Sequence, residues 1–142
     1  MWGLDLRNGT AVDFNKTGTY STEMFTDEAV RRIRQHGKSS AESSPEDQAG
    51  TSNPLFLMIN HQAPHTGNIF RPYEVPSIYL ERVAHIGNPA RRNHAALLAS
   101  LDDSVGSVFK TLDEEEVRRG RLGGMEDRMV FSLNKNLRYS NF

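Results

Sequence analysis

The apolar residues of this chain form one unbroken run and two stripes at helical spacing. The run is Leu55 to Ile59, bounded by Pro54 and by polar residues. A short apolar run with such flanks predicts a strand buried on both faces. The chain then turns polar, with His61 followed by Gln-Ala-Pro-His-Thr over residues 62–66. Ligands of open α/β sheets lie beyond the carboxyl ends of strands, so this turn is a candidate wall of a site.

Two amphipathic helices flank this strand in the sequence. Residues 21–36 place Phe25, Ala29 and Ile33 at steps of four, which predicts a helix with one apolar face. A longer helix is predicted to begin near Pro89, with Asn88 as its N-cap. Gly120 is its expected stop. Its predicted apolar stripe consists of Leu98, Leu101, Val105, Val108 and Leu112.

Shorter patterns complete the predicted architecture. Residues 3–14 alternate around Asn8-Gly9, the preferred pair of a type I′ hairpin turn. A helical turn is expected from Ser77 to Val83, and Met129 to Leu133 reads as a second buried strand. The long helix between the two buried strands indicates a βαβ crossover with parallel strands, and hence an α/β fold. Residues 37–52 contain no aromatic or branched aliphatic residue and are predicted to be a flexible insert.

Charge and composition exclude several function classes. The chain has 142 residues, with 17 basic and 18 acidic side chains and a net charge of −1. This balance argues against bulk electrostatic binding to nucleic acid or to an anionic membrane. No apolar run approaches the roughly 20 residues of a membrane span, and the first residues lack the apolar core of a signal peptide. The absence of cysteine excludes disulfides, thiolate metal sites and a cysteine nucleophile.

Two histidines are the candidate chemical groups. His61 and His65 are four residues apart, a spacing that ligates zinc when it lies on a helix. Here Pro64 intervenes and a strand precedes, so a two-histidine zinc site is not expected. Two interpretations of His65 stay open: a loop histidine bonded to backbone, or a side chain that donates to an anion or acts as an acid or base.

Other polar features have simpler interpretations. The basic cluster of Arg31, Arg32 and Arg34 suits the C-terminal half of a helix and is expected to be a solvated face. Asp102 and Asp103 are expected on a helix surface. Asn8 and Asn15 each begin an Asn-x-Thr triplet and are candidate glycosylation sites.

Several segments of the chain, in order, resemble one enzyme family. They are Tyr20-Ser21-Thr22 with Phe25-Thr26 and Ala29, Phe56-Leu57 with Gln62-Ala63-Pro64-His65-Thr66, and Arg91-Arg92 with Ala95, Leu101-Asp102 and Val105-Gly106. Together these segments resemble the arylsulfatases, most closely the arylsulfatase B (N-acetylgalactosamine-4-sulfatase) type. The resemblance extends from about Gly3 to Ser132, so the chain looks like an internal fragment of such an enzyme.

The resemblance implies an alkaline-phosphatase-like α/β fold and hydrolysis of sulfate esters. The family uses a formylglycine made from the cysteine of a Cys-x-Pro-x-Arg motif, and a calcium ion binds the sulfate. The histidine of the Ala-Pro-His-Thr segment contacts the substrate sulfate and maps onto His65. The implied substrates are aryl sulfates or the sulfated N-acetylgalactosamine of glycosaminoglycans, and the implied location is lysosomal or secreted.

Departures from the family pattern limit what the chain is expected to do. Without cysteine no formylglycine forms. The spacing of proline and arginine in the motif recurs in Gly87-Asn88-Pro89-Ala90-Arg91, but glycine stands at the nucleophile position. Asn134 stands where the family has a calcium-binding aspartate, and Lys135 beside it would repel the ion. Residues 3–135 are therefore predicted to be a partial sulfatase catalytic domain, followed by a divergent tail at 136–142.

The chain is therefore predicted to be a fragment of a sulfuric ester hydrolase that is inactive by itself and does not hold calcium. The alternative is a catalytically inactive sulfatase-like protein that binds sulfated glycans or a protein partner. Neither interpretation involves nucleic acid or a membrane.

Overall fold

The computed structural model describes residues 6–41, 55–66, 70 and 72–115. Its elements in chain order are β1 (Arg7–Asn8), β2 (Ala11–Val12), α1 (Ser21–Ala41), α2 (Ser77–Arg82) and α3 (Pro89–Glu114). Helices α1 and α2 both pack on α3. The predicted second strand, Met129 to Leu133, lies outside the described residues, as do Asn134 and the 136–142 tail. The described part is thus helical with one two-stranded hairpin, compatible with a piece of a sulfatase domain.

The predicted hairpin is present with its turn shifted by one residue. Strands β1 and β2 are antiparallel, and Asn8 pairs with Ala11. The two loop residues are therefore Gly9 and Thr10, instead of Asn8 and Gly9. Gly9 has a φ of 64°, and the first loop position of a type II′ turn is one that favours glycine for this reason. The left-handed conformation needed by the turn thus falls on the residue without a Cβ.

The core between α1 and α3 is small and apolar. Ala29 and Ile33 of α1 meet Val108 and Leu112 of α3, and Ile33 is 0% exposed. The predicted stripe on α1 is therefore correct. Helix α1 also continues to Ala41, five residues into the stretch predicted to be a flexible insert, where the Ser39 hydroxyl donates to the Gln35 carbonyl. Residues 42–52 of that insert lie outside the described ranges.

Helix α3 begins as predicted, but its buried face is rotated. The side chain of Asn88 accepts from the backbone N–H of Arg91, and Pro89 occupies the first turn. Leu98 of the predicted stripe is 45% exposed, while Leu97 is buried. The helix ends at Glu114, and the expected stop at Gly120 lies outside the described residues. The buried face of α3 consists of Ala96, Leu97, Ser100, Ser104, Val108, Thr111 and Leu112.

Small hydroxyl residues cause this rotation. The Tyr20 hydroxyl lies 2.9 Å from Ser100 Oγ, and Ser104 Oγ bonds Thr26 on α1. A serine can be buried without large cost when its hydroxyl has a hydrogen-bond partner. A count of apolar residues alone misses this face, because its middle is polar.

The central apolar run is packed on one face instead of two. Residues 55–60 are extended, but within the described part of the chain they join no strand ladder. Leu55, Leu57 and Ile59 pack against the α1–α3 core, whereas Phe56 is 89% and Met58 is 70% exposed. The prediction of burial on both faces is wrong for the described residues, because no second layer there covers the alternate side chains.

Helix α2 forms at the predicted position and connects the other two helices. Tyr79 of α2 is buried and its ring lies 6.5 Å from that of Tyr20, measured between centroids. The Tyr79 hydroxyl donates to Glu23 on α1 at 3.4 Å. Arg82 lies over the Tyr79 ring and forms an ion pair with Asp103 on α3. Asp102 and Asp103 are both exposed, as predicted for a helix surface.

Candidate functional site: the turn after the central segment

The polar segment after Ile59 forms a closed turn against α3. The backbone N–H of His65 donates to the Gln62 carbonyl at 2.8 Å, and the Ala63–Pro64 peptide is cis. Ala63 is buried, while Gln62 and His65 are exposed. The turn therefore anchors one small side chain in the protein and presents polar ones to solvent.

His65, the predicted sulfate contact, is exposed at the end of this turn. Its Nδ1 lies 2.6 Å from the carbonyl oxygen of Thr66. A carbonyl oxygen only accepts, so Nδ1 carries the proton and Nε2 is the nitrogen left to face a ligand. The neutral ring would offer an anion a lone pair at Nε2, whereas the doubly protonated ring offers an N–H. Both interpretations of His65 are compatible with this geometry: Nδ1 bonds to backbone, and Nε2 can serve a ligand.

His61 lies in a different environment, between the central segment and α3. Its Nε2 is 2.9 Å from Ser104 Oγ, and Ser104 Oγ is bonded to Thr26 Oγ1. Thr26 Oγ1 is in turn 2.6 Å from the Thr22 carbonyl. These contacts form a hydrogen-bonded chain from α1 through α3 to the segment that carries the turn. We call the four residues Thr22, Thr26, Ser104 and His61 the polar seam.

The hydroxyl of Thr26 is the donor at one end of the polar seam, to the Thr22 carbonyl and to Ser104 Oγ. Ser104 Oγ therefore accepts from Thr26. In the bond between Ser104 Oγ and Nε2 of His61, the tautomer of the ring decides which of the two atoms donates.

The surroundings of the other ring nitrogen of His61, Nδ1, affect the pKa of the ring. Nδ1 is buried and has no hydrogen-bond partner among the described residues. Burial lowers the pKa of His61, because a second proton on the ring would place a charge in an apolar setting. Burial therefore favours the neutral form of His61. A hydroxyl with the same lack of partner, Thr22 Oγ1, lies in the same seam, so Thr22 does not cap α1 through its side chain.

Two residues of this arrangement carry no signal in a search for apolar periodicity. Thr26 and Ser104 bond across the helix pair although 78 residues separate them in the sequence. A weak signal exists in the spacing of hydroxyls, since Thr22 and Thr26 are four apart, as are Ser100 and Ser104. Hydroxyls at that spacing share one helix face.

The metal and glycosylation predictions concern Asn134, Asn8 and Asn15. Within residues 6–41, 55–66, 70 and 72–115, no three His, Asp or Glu side chains converge to form a candidate metal centre. Asn134, the possible calcium ligand, lies outside these ranges, so the calcium prediction stays a prediction. Asn8 and Asn15 are both exposed beside the hairpin, where their side chains are accessible. Their glycosylation also stays a prediction.

The basic cluster on α1 is largely paired within its own helix. Arg31 and Arg32 both bond Glu28, at 2.7 Å for each ion pair. The bond from Arg31 has the largest effect on the pKa of Glu28 and, with the bond from Arg32, lowers it to about 2 against the opposing effect of burial. Arg34 lies 3.7 Å from Glu114 of α3. The cluster is therefore a solvated, partly neutralised face, as expected.

No described helix is both long and apolar enough to cross a membrane.

The chain is similar to arylsulfatase J of Mus musculus, with 31% identity over 112 residues. The match covers 78% of this chain and 16% of the relative, so the chain spans about a sixth of that protein. A continuous stretch of that size in 142 residues includes the middle of the chain, where the His61–His65 turn lies. No protein-family profile matches the chain, and no solved structure matches it. The match does not distinguish an arylsulfatase B type, but it supports a relationship of this chain to the sulfatase family.

Proposed function

We propose that this chain is part of an arylsulfatase-type sulfuric ester hydrolase in which it supplies one wall of the sulfate pocket. The observation that carries the proposal is the exposed His65 at the end of a closed turn, whose Nδ1 bonds the Thr66 carbonyl and so leaves Nε2 as the ring nitrogen for a ligand. Support comes from the similarity to an arylsulfatase across the middle of the chain. The proposed substrates are aryl sulfates or sulfated sugars of glycosaminoglycans, met in a lysosomal or secreted setting.

The chemistry assigned to His65 in this proposal is charge stabilisation. A doubly protonated imidazole donates from Nε2 to a sulfate oxygen, a charge-assisted hydrogen bond that is stronger than a neutral one. The 142 residues contain no cysteine, so the formylglycine nucleophile of the family would have to come from residues outside them. Calcium would have to be held largely by such residues too, since Asn134 is the one position in this chain proposed as a ligand.

The proposal is tested by binding, because binding does not require the missing nucleophile. Saturation-transfer NMR of the 142-residue chain with N-acetylgalactosamine-4-sulfate is expected to show binding with a Kd on the order of 1–10 mM. Unsulfated N-acetylgalactosamine and His65→Ala are the two controls. Equal transfer to the sulfated and unsulfated sugars, or full binding by His65→Ala, would contradict the proposed role.

A second candidate function is binding of sulfated glycans without catalysis. A groove of about 640 Å³ runs along the exposed face of α1. It is open to solvent and carries more basic than acidic side chains, which suits a linear polyanion. Its described lining residues are Asp27, Val30, Arg31, Arg34, Gln35, Lys38 and Ser39.

Retention on immobilised chondroitin sulfate separates this second function from the first. The double variant Arg34→Gln/Lys38→Gln is expected to elute at lower salt than the wild type if the groove binds glycan. The variant Arg91→Gln/Lys110→Gln removes the same charge from α3 and serves as the control. Equal elution of the two double variants would remove the groove from consideration.

A further inference from the structure

Two contacts tie the turn that carries His65 to the rest of the protein. One is the burial of the Ala63 side chain. The other is the hydrogen bond between His61 and Ser104, which joins the turn to α3. It spans 43 positions in the sequence, so it fixes the turn to a distant element and not to its neighbours.

The geometry points to His61 as a positioning residue for His65, holding the turn against α3 through its bond to Ser104. This inference rests on the proposed role of His65 as the sulfate contact. The two histidines are four positions apart, and the turn between them is closed by the bond from His65 N–H to the Gln62 carbonyl. A shift of His61 away from α3 would therefore move the whole turn, His65 included.

The chemistry of the bond between His61 and Ser104 makes the inference specific. Ser104 bonds a polar atom of residue 61, and His61 supplies that atom at Nε2. The terminal amide of glutamine lies at a similar distance from the backbone and can both donate and accept. His61→Gln is thus expected to keep the anchor, whereas His61→Leu fills the space without a polar atom.

Amide hydrogen exchange on the 142-residue chain tests the inference, read residue by residue by NMR. In His61→Leu the amides of residues 62, 63, 65 and 66, above all the bonded amide of His65, are expected to exchange roughly fivefold to tenfold faster, as loss of one hydrogen bond predicts. The amides of α1 and α3 are expected to keep their exchange rates. His61→Gln is expected to restore the wild-type rate at the turn.

Ser104→Ala provides an independent variant if His61→Leu does not fold. It leaves the ring of His61 in place and removes its hydrogen-bond partner, so it is expected to speed exchange in the same four residues. Unchanged exchange at the turn in both variants would overturn the inference. So would an equal increase across α1 and α3, which would make His61 a general stabilising residue, or a failure of His61→Gln to restore the turn.

The exchange experiment separates this inference from the proposed function. Binding of N-acetylgalactosamine-4-sulfate is expected to weaken in His61→Leu and to recover in His61→Gln. If the wild-type chain does not bind the sulfated sugar, the role of His65 fails, but the effect of His61 on the turn is still decided by exchange. If binding is normal in His61→Leu while the turn amides exchange faster, the turn is anchored but its position does not matter for the ligand.

Discussion

At the scale of single residues, the two histidines differ in environment more than their sequence spacing suggests. Both follow the same apolar run, and the sequence identified His65 as the candidate site residue. The structure adds that His65 is exposed and bonds backbone through Nδ1, while Nε2 of His61 bonds Ser104 in the polar seam. The position of His61 could not be derived from the sequence, because its partner Ser104 is brought close only by the packing of α3.

The half-buried ring of His61 predicts that the free energy of unfolding depends on pH. Burial lowers its pKa in the folded chain below the ordinary value of 6.5. Below about pH 6.5 the unfolded chain therefore takes up a proton that the folded chain refuses, and the free energy of unfolding falls as the pH drops. Above that value the histidine is neutral in both states and contributes no pH dependence.

Urea unfolding of the wild type and of His61→Gln measures this dependence. The wild type is expected to lose more stability than His61→Gln between about pH 7.5 and about pH 5. Glu28 does not interfere, because its carboxylate titrates in the folded chain at about 2 and in the unfolded chain near 4.5. Parallel pH profiles for the two proteins would show that His61 is not held neutral by the fold.

At the scale of elements, helices were predicted well and their contacts less well. The start of α3 follows from local chemistry, with Asn88 capping a helix that has Pro89 in its first turn. Its buried face depends on Ser100 and Ser104, whose partners lie on α1 and on the central segment. Apolar periodicity cannot show a face that is buried through hydroxyl groups, so Leu98 was expected inside and is half exposed.

The central segment shows the same limit for strands. An apolar run indicates that both faces suit burial, but neighbouring elements decide which faces are covered. In the described residues, α1 and α3 cover the face of Leu55, Leu57 and Ile59 alone. Whether Met129 to Leu133 pairs alongside, as the crossover argument predicts, stays a prediction.

Two alanine substitutions test this one-sided packing. Ile33→Ala is expected to destabilise the protein by about 2–5 kcal/mol, because Ile33 is fully buried in the core. Phe56→Ala is expected to change stability by less than about 0.5 kcal/mol, because its ring is 89% exposed. Both are measured by urea unfolding at neutral pH. A loss above about 2 kcal/mol for Phe56→Ala would show that its ring is buried.

At the scale of the whole molecule, the chain is proposed to carry one wall of a sulfate pocket, and its sequence contains no cysteine to become the nucleophile. The similarity to arylsulfatase J covers most of this chain but 16% of that protein. The turn with His65 lies within the described residues. Similarity to an arylsulfatase was predicted from the ordered sequence motifs, and the match to arylsulfatase J supports that prediction.

The division between binding and catalysis leads to a prediction for activity. The purified 142-residue chain is expected to show no calcium-dependent hydrolysis of a fluorogenic aryl sulfate, since it lacks the covalent nucleophile of the family. The assay compares the chain with and without calcium and with His65→Ala. Hydrolysis that requires calcium and disappears in His65→Ala would show that the chain alone is a sulfatase.

The most direct test of the central claim is the imidazole signal of His65 during a titration with N-acetylgalactosamine-4-sulfate. Long-range ¹H–¹⁵N NMR distinguishes its two ring nitrogens. We expect the Nε2 signal of His65 to shift as the sulfated sugar is added, because Nε2 is the ring nitrogen proposed to bond the sulfate. The signals of His61 are expected to stay unchanged. An unresponsive His65, or the same shift with the unsulfated sugar, would contradict the assignment of this turn to a sulfate pocket.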